Sequence, residues 1–216
     1  MGIGGLPRGR IVEIFGPAAS GKTALALCCV ASWQRCGGAA AWVDAEHAFD
    51  PGFATQLGVD LTALPVVQPA SAEEALEMAR RFAASGALEL VVIDSAAALV
   101  PQLELATGLE GRGGSLQSRV LGSELRRLSS AAARTGVSML FLNQTRIHLE
   151  SSAGEFETSA GGPSLKLHAA VRIALAAHGR QVRFRVLKNK SGAAFLAGEL
   201  EWSRAPAPHP AQSGPR

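Results

Sequence analysis

The chain has 216 residues, of which 47% are hydrophobic, so it can form one large domain with a substantial core. Its formal net charge of +3 permits binding to nucleic acid without indicating it, because no dense run of basic residues occurs. No stretch is apolar and long enough to span a membrane, and we expect no secretory signal at the glycine-rich start. The cysteines are Cys28, Cys29 and Cys36, and their spacing matches neither a metal site nor a disulfide framework. We therefore predict that they are buried thiols in a reducing cytoplasm.

The first predicted element is an apolar strand over 10–15, and a phosphate-binding motif follows it at once. The motif reads G-x-x-x-x-G-K-T and opens a helix predicted over 22–36. Its residues are Gly16, Pro17, Ala18, Ala19, Ser20, Gly21, Lys22 and Thr23. The glycines let backbone N–H groups approach phosphate oxygens at the positive end of the helix. The lysine supplies a charge for the β- and γ-phosphates and the threonine a hydroxyl for Mg²⁺, whereas the alternative is an ordinary glycine turn.

Strands and helices then alternate through the first two thirds of the chain. Further helices are predicted over 51–57, from the capping box at Ser71 to about 85, and over 116–135. Further apolar strands are predicted over 39–43, 64–68, 88–93 and 137–142. The segment 103–115 is polar and glycine-rich, and the segment 145–163 is predicted as a long loop.

The last predicted strands, over 171–176, 182–187 and 194–200, follow one another without helices. The whole pattern predicts an α/β fold of the P-loop NTPase class, with a mostly parallel sheet, helices on both faces and an antiparallel extension. Residues 1–204 form the predicted core. We predict that 205–216, a proline-rich tail, is disordered.

Three predicted strands end in polar side chains, and in open α/β sheets ligands bind beyond the carboxyl ends of the strands. Asp94 ends an apolar strand in the Walker-B arrangement, in which the carboxylate holds Mg²⁺ directly or through its water. Glu46 is placed to orient and deprotonate an attacking water; a solvated loop carboxylate is the alternative. Gln144 can hydrogen-bond a γ-phosphate and transmit its loss to the loop that follows; a strand-end cap is the alternative.

Six segments in order resemble the ATPase core of bacterial RecA recombinases over nearly all of 4–200: GGLPRGRIVEIFGPAASGKT, WVDAEHAFDP, LVVIDSAAALVP, LFLNQTR, TSAGG and VLKNK. The resemblance implies a RecA-like fold, ATP and Mg²⁺ as ligands, and ATP hydrolysis that depends on DNA. It implies catalytic roles for Lys22, Glu46 and Gln144. It also implies that Thr23 and Asp94 hold the metal.

Further residues match positions with known roles in that family. Phe53 falls where the family stacks an aromatic ring on adenine, and Asp50 where a carboxylate reads the base. Lys188 and Lys190 match lysines that reach across a filament interface to the neighbour's ATP. Taken alone, the two lysines would indicate only a solvated strand end.

The resemblance also implies two DNA-binding loops, over 107–114 and 145–162, with single-stranded DNA as the partner and duplex DNA during exchange. The implied DNA-binding residues are Arg112, Gly113, Arg146, His148, Phe156, Gly161 and Gly162. Arginine and histidine would meet phosphates, glycines would admit the DNA backbone, and phenylalanine would stack on a base.

The sequence also departs from the family pattern. We expect that it begins at the core without the N-terminal helix and strand that dock on a neighbouring subunit, that it lacks the small C-terminal domain, and that a hairpin in the shorter stretch from 171 to 188 is trimmed. The second loop carries Glu150, Glu155 and Glu157, which oppose phosphate binding.

Two hypotheses follow. One is a cytoplasmic, DNA-dependent ATPase of homologous recombination and repair that forms filaments; the other is a truncated ATP-binding accessory or regulatory protein of repair or mutagenesis that forms none.

Overall fold

The computed structural model describes residues 4–107, 113–150, 154–160, 162–178 and 181–201. The strands of this part of the chain are β1 (Ile11–Gly16), β2 (Ala40–Asp44), β3 (Val66–Val67), β4 (Leu90–Asp94), β5 (Ser138–Glu150), β6 (Gly154–Ser159), β7 (Val171–His178), β8 (Gln181–Asn189) and β9 (Ala197–Glu201). The α-helices are α1 (Lys22–Arg35), α2 (Pro51–Gln56), α3 (Ala72–Ala84), α4 (Gln102–Thr107), α5 (Gly113–Thr135) and α6 (Pro163–His168). Within these ranges, no helix combines the length and apolarity needed to cross a membrane.

The strands form a mostly parallel sheet in the order β3-β2-β4-β5-β1-β7-β8-β9, and β6 pairs with the far half of β5. The strands from β3 to β7 in this order run parallel. β8 and β9 extend the sheet in the antiparallel direction. The predicted fold class is therefore confirmed, and β1, which leads into the phosphate-binding motif, lies inside the sheet between β5 and β7.

Helices cover both faces of the sheet, because alternate strand residues face two separate apolar clusters. Val91 and Phe141 belong to the cluster that includes α3 and α5. Val92 and Leu140, their neighbours in sequence, belong to the cluster that includes α1 and α2. Burial on both faces explains why these strands are apolar throughout.

Two predicted helix starts are confirmed by their caps. The carboxylate of Asp50 accepts a hydrogen bond from the Phe53 backbone N–H at 3.0 Å, with proline at the first helical position. The hydroxyl of Ser71 accepts one from the Glu74 N–H at 3.2 Å. Each cap satisfies a backbone donor that has no partner inside its helix.

The segment predicted as a loop over 145–163 is in large part a hairpin, so that prediction is wrong. β5 continues to Glu150 and pairs with β6, from Thr145 opposite Ser159 to Glu150 opposite Gly154. Residues 146–149 alternate polar and apolar side chains, as strands do. The alternation is too short to outweigh the serine, glycine and glutamate residues that follow it in the sequence.

Three smaller expectations have different outcomes. The short helices α4 and α6 have no predicted counterpart, since helices of six residues show too little periodicity to be recognised. The cysteines are not buried thiols: Cys28 and Cys29 are half-buried and Cys36 is exposed. Cys29 packs against the edge of the apolar cluster that includes α1, and Cys29 and Cys36, the residue after α1, line a groove at the N-terminal loop. The predicted tail over 205–216 lies outside the described residues.

Candidate nucleotide-binding site

Four neighbouring strands bring their carboxyl ends to one edge of the sheet. In the order β2-β4-β5-β1, Asp44 lies opposite Asp94 and Gly16 lies opposite Gln144. The phosphate-binding motif begins at the same edge, directly after β1. The topology thus places the polar strand ends beside the motif, as expected for a ligand site in an open α/β sheet.

The loop between β1 and α1 has the backbone that a phosphate cradle requires. A Cβ atom on Gly16 would lie 2.3 Å from the Leu175 carbonyl oxygen, so only glycine fits there. Gly21 has a φ of 87° and precedes α1, and no side chain caps that helix start. The first N–H groups of α1 are therefore available to an anion.

Lys22 lies folded over this loop. Its ammonium group donates to the carbonyl oxygens of Pro17 at 2.7 Å and Gly16 at 3.1 Å, and to the Ser20 hydroxyl at 3.4 Å. Burial lowers the pKa of Lys22, and the charges of Asp94 and Glu46 oppose that shift. The loop thus holds a desolvated cation where a phosphate would be bound.

Thr23 and Asp94 form the predicted metal position. The Thr23 hydroxyl donates to a carboxylate oxygen of Asp94 at 3.0 Å. Burial, followed by the charge of Glu46, raises the pKa of Asp94 to about 6. A divalent cation would stabilise this ionised carboxylate, and hydroxyl and carboxylate oxygens are the donors that Mg²⁺ prefers.

The protein supplies only part of a metal coordination shell. Among the described residues, no group of three or more histidine, cysteine, aspartate or glutamate side chains is arranged to hold a metal ion. Mg²⁺ characteristically keeps several waters and uses one or two carboxylates together with substrate phosphates. The pair Thr23 and Asp94 therefore fits Mg²⁺ bound together with a nucleotide.

Glu46 and Gln144 are in contact, although the sequence separates them by 98 positions. The Gln144 amide donates to Glu46 Oε1 at 3.3 Å, and the Ser95 hydroxyl donates to the same oxygen. Ser95 is a site residue that the sequence reasoning missed, and its position directly after Asp94 was the available signal. The arrangement joins the predicted base to the predicted γ-phosphate sensor and leaves Glu46 Oε2 without a described partner.

Asp44 is a second missed residue, and it shapes the loop that carries Glu46. Its buried carboxylate accepts from the backbone N–H groups of Ala48 at 3.1 Å and Phe49 at 3.0 Å, and from the Gln68 amide at 2.9 Å. These contacts fix the turn after β2. Asp44 therefore supports the position of Glu46 and need not touch a ligand itself.

The predicted base-binding residues lie at the start of α2. Asp50 uses one carboxylate oxygen to cap that helix, and the ring of Phe53 is 37% exposed. An exposed ring is free to stack on a base. Contact of either residue with adenine stays a prediction.

Lys188 and Lys190 do not join this site. Asn189, between them, pairs with Val171, and the next residue of β1 along that row is Val12, at the start of the strand. Both lysines therefore lie at the edge of the sheet opposite the P-loop. The ammonium group of Lys188 donates to the carbonyl oxygens of Lys166 at 2.7 Å and Leu167 at 3.1 Å.

Of the implied DNA-binding residues, Arg112 and Gly161 lie outside the described residues. Gly113 is the first residue of α5. Gly162 has a φ of 75°, and a Cβ atom there would lie 2.7 Å from the Ser118 hydroxyl, so glycine is required. The other three lie in the hairpin: Arg146 pairs with Thr158, and His148 pairs with Phe156.

Comparisons with known proteins agree with this geometry. A family model described as the RecA N-terminal domain matches residues 1–203. The chain is 46% identical to Protein RecA of Leifsonia xyli subsp. xyli over 211 residues, which is 93% of this chain and 59% of that protein. It is 44% identical over 93% of its length to Protein RecA of Bifidobacterium breve and of Nocardia farcinica, and covers 54% and 61% of them. The chain thus spans little more than half the length of these curated relatives.

Proposed function

Because the chain belongs to the RecA family, we propose that it is a DNA-dependent ATPase acting in homologous recombination and DNA repair in the cytoplasm. The observation that carries the proposal is the convergence of Lys22, the Thr23–Asp94 pair and the Glu46–Gln144 pair at one edge of the sheet. A glycine turn without a ligand would not require these five residues to meet at one edge of the sheet. ATP and Mg²⁺ are the ligands that this set of groups fits.

The binding step uses the loop and the first turn of α1. Backbone N–H groups there donate to the phosphate oxygens, and Lys22 exchanges its carbonyl partners for the β- and γ-phosphate oxygens. Thr23 and Asp94 hold Mg²⁺, which when bound neutralises charge on the β- and γ-phosphates. Asp50 and Phe53 are proposed to hold the base.

The hydrolytic step uses Glu46 as a general base. Oε2 accepts a proton from water, the water oxygen bonds to the γ-phosphorus, and the bond from that phosphorus to the bridging oxygen breaks, giving ADP and phosphate. Ser95 keeps Glu46 oriented through Oε1. Gln144 leaves Glu46 for the γ-phosphate and senses its loss after hydrolysis.

Single-stranded DNA is the proposed activator, with duplex DNA bound during exchange. The proposed DNA contacts are Arg112, Gly113, Arg146, His148, Phe156, Gly161 and Gly162. The hairpin begins at the residue after Gln144, so the sensor and the second DNA segment share one strand. Binding should weaken with salt, since phosphate contacts release counterions.

A second candidate is an ATP-binding accessory or regulatory protein of repair or mutagenesis that forms no filaments. Glu150, Glu155 and Glu157 in the hairpin favour it, because their charges repel DNA phosphates. Lys188 and Lys190 separate the two candidates. They reach an ATP only if another copy of the chain supplies it.

Steady-state ATP hydrolysis, measured with and without single-stranded DNA at low and moderate salt, tests the proposal. We expect stimulation by DNA, and turnover lowered by about 10²- to 10⁴-fold in Glu46→Gln with ATP binding retained. Glu201→Gln makes the same chemical change at an exposed position of β9 and should behave as wild type. ATP binding with slow turnover that ignores DNA would instead favour the accessory protein.

A further inference from the structure

Glu13 is a fully buried carboxylate in the middle of β1, three residues before the P-loop begins, and the mechanism above does not use it. One oxygen accepts from the Asn143 amide at 2.9 Å. The other accepts from Nε of Arg172, with which Glu13 forms an ion pair. Since Asn143 lies on β5 and Arg172 on β7, the carboxylate joins the strands on both sides of β1.

Both partners of Glu13 contact the base of the hairpin formed by β5 and β6. Asn143 is fully buried; its oxygen accepts from the Gln144 N–H at 2.9 Å and its amide also donates to the Ala160 carbonyl at 3.0 Å. Arg172 donates to the Ser159 hydroxyl at 3.1 Å. We call Glu13, Asn143, Arg172 and Ser159 the hairpin clamp.

The hairpin clamp adds side-chain contacts to the backbone pairing between the strands. Pairing between β5 and β6 ties the hairpin strands to each other, and β5 pairs with β1 directly. Among the described residues, the side-chain contacts of Asn143 with Ala160, directly after β6, and of Arg172 with Ser159 link the returning end of the hairpin to the interior strands. The Ala160 backbone N–H also donates to the Gln144 carbonyl oxygen at 2.9 Å. Buried polar groups that lose a partner are costly, so these groups are expected to shift together.

We propose that Glu13 is a positioning residue that, through the hairpin clamp, transmits nucleotide binding at Gln144 to the hairpin of β5 and β6. The inference rests on the proposed nucleotide site and deepens it. Gln144 reaches Glu46 through its side chain, while its backbone N–H is held by Asn143. When Gln144 turns toward a phosphate, Asn143 shifts with it, and Glu13 carries that shift to Arg172 and so to Ser159 at the end of β6.

Hydrogen–deuterium exchange with Mg²⁺ and the slowly hydrolysed analogue ATPγS measures this coupling. In the wild type, the nucleotide should slow exchange in the P-loop and also change exchange in 145–150 and 154–159. Among the contacts of the described residues, Ser159→Ala removes only the one between the Ser159 hydroxyl and Arg172, so P-loop protection should persist while the hairpin response falls about 5-fold or more. Glu13→Gln, where it folds, should abolish the hairpin response, because the NH₂ group that replaces one carboxylate oxygen cannot accept a hydrogen bond and leaves Asn143 or Arg172 without its partner.

Ser138→Ala is the matched control. Ser138 is also buried, lies at the other end of β5, and donates one hydrogen bond to the Pro7 carbonyl at 3.1 Å. It should keep both exchange responses at the wild-type level. The melting temperature and the KM for ATP of Ser159→Ala should match those of the control, which separates coupling from general destabilisation.

The outcomes distinguish the clamp from the proposed function. Two outcomes would overturn the clamp alone. In the first, the nucleotide protects the P-loop of the wild type from exchange but leaves exchange in the hairpin unchanged; in the second, Ser159→Ala keeps the wild-type hairpin response. No P-loop protection would overturn the nucleotide site and the clamp with it. A hairpin response that depends on the clamp, in a protein whose turnover ignores DNA, would overturn the DNA dependence and support the clamp.

Discussion

The two edges of the sheet differ in the charges they bring together. At the carboxyl edge, Lys22 lies close to the carboxylates of Asp94 and Glu46, so charges of opposite sign from one chain balance each other. At the opposite edge, Lys188, Lys190 and neighbouring cations meet without a comparable group of carboxylates among the described residues.

The pKa shifts at the opposite edge show the imbalance. Burial lowers the pKa of Lys188. The charges of Lys190 and Arg172 lower this pKa further, whereas the charge of Glu13 raises it. Burial also lowers the pKa of His168, with further lowering by Arg126, Lys188 and Lys190. A cavity of about 360 Å³ lined partly by His168 and Lys190 lies at this edge.

The difference teaches that charges of opposite sign are combined at one edge of the sheet, whereas positive charge dominates at the other. In the proposed function, the carboxyl edge supplies a phosphate cradle, a metal position and a base from a single chain. The opposite edge concentrates positive charge and would be stabilised by an anion from outside. Within the proposed function, that anion is the ATP phosphate of another copy.

Lys22→Ala should have the largest effect on the carboxyl edge. Removing the phosphate-facing charge should lower ATP turnover by about 10²-fold or more. The free energy of unfolding should change by less than about 1 kcal/mol, because the lost contacts are balanced by relief of a desolvated cation. Turnover and urea unfolding measure the two effects.

Arg35→Ala is the control for that change, since Arg35 is an exposed cation in the last turn of the same helix. It should retain wild-type turnover. A Lys22→Ala variant that hydrolyses ATP normally would show that the carboxyl edge is not the nucleotide site, and the comparison of the two edges would fail.

Asp94→Asn should have the second-largest effect, and this effect on the free energy of unfolding can be measured without nucleotide or metal. The pKa of Asp94 is raised to about 6, so its contribution to stability is complete below the unfolded value of about 3.9 and is lost as pH rises through 6. The uncharged variant escapes this loss. Between pH 4.5 and pH 7.5 in EDTA, the free energy of unfolding should shift in favour of Asp94→Asn by about 2 kcal/mol.

Asp60→Asn provides the contrast for the pH series. The Thr62 hydrogen bonds lower the pKa of Asp60, so its carboxylate is ionised throughout that range. Its variant should differ from wild type by a constant amount at all these pH values. If the free energy of unfolding of Asp94→Asn also differs from that of the wild type by the same amount at every pH, the Asp94 carboxylate is not desolvated. The metal position would then lose its physical basis.

The carboxyl edge was largely predictable because its residues stand in short motifs. The P-loop, Asp94 and Glu46 each lie within a few residues of a strand end, and parallel strands bring such ends together. The sequence reasoning also identified Gln144 in this way. Ser95 and Asp44 were missed because their roles depend on how loops from different strands meet.

The hairpin clamp could not be predicted from local pattern. Glu13 is a charge in an otherwise apolar strand, and its partners Asn143 and Arg172 lie 130 and 159 positions away. Which strands flank β1 decides that contact, and periodicity carries no information about strand order. The hairpin itself was missed because only four of its residues alternate before glycine and glutamates intervene.

Lys188→Ala combined with Lys190→Ala should have the smallest effect, and it sharpens the comparison most. Nucleotide binding by dilute protein should be unchanged, because both lysines lie at the edge away from the P-loop. Turnover with single-stranded DNA at high protein concentration should fall about 10-fold, the loss expected for charged contacts to a phosphate. Turnover per chain across a concentration series measures both.

Arg183→Ala, at an exposed position of the same strand and paired with Glu199 at 2.8 Å, should follow the wild-type curve. If the double variant loses turnover equally at every concentration, the lysines act within their own chain. They would then act by holding the end of α6, since Lys188 donates to the carbonyls of Lys166 and Leu167. A loss confined to high concentration requires a second copy, because antiparallel β8 carries both lysines away from the nucleotide bound by their own chain.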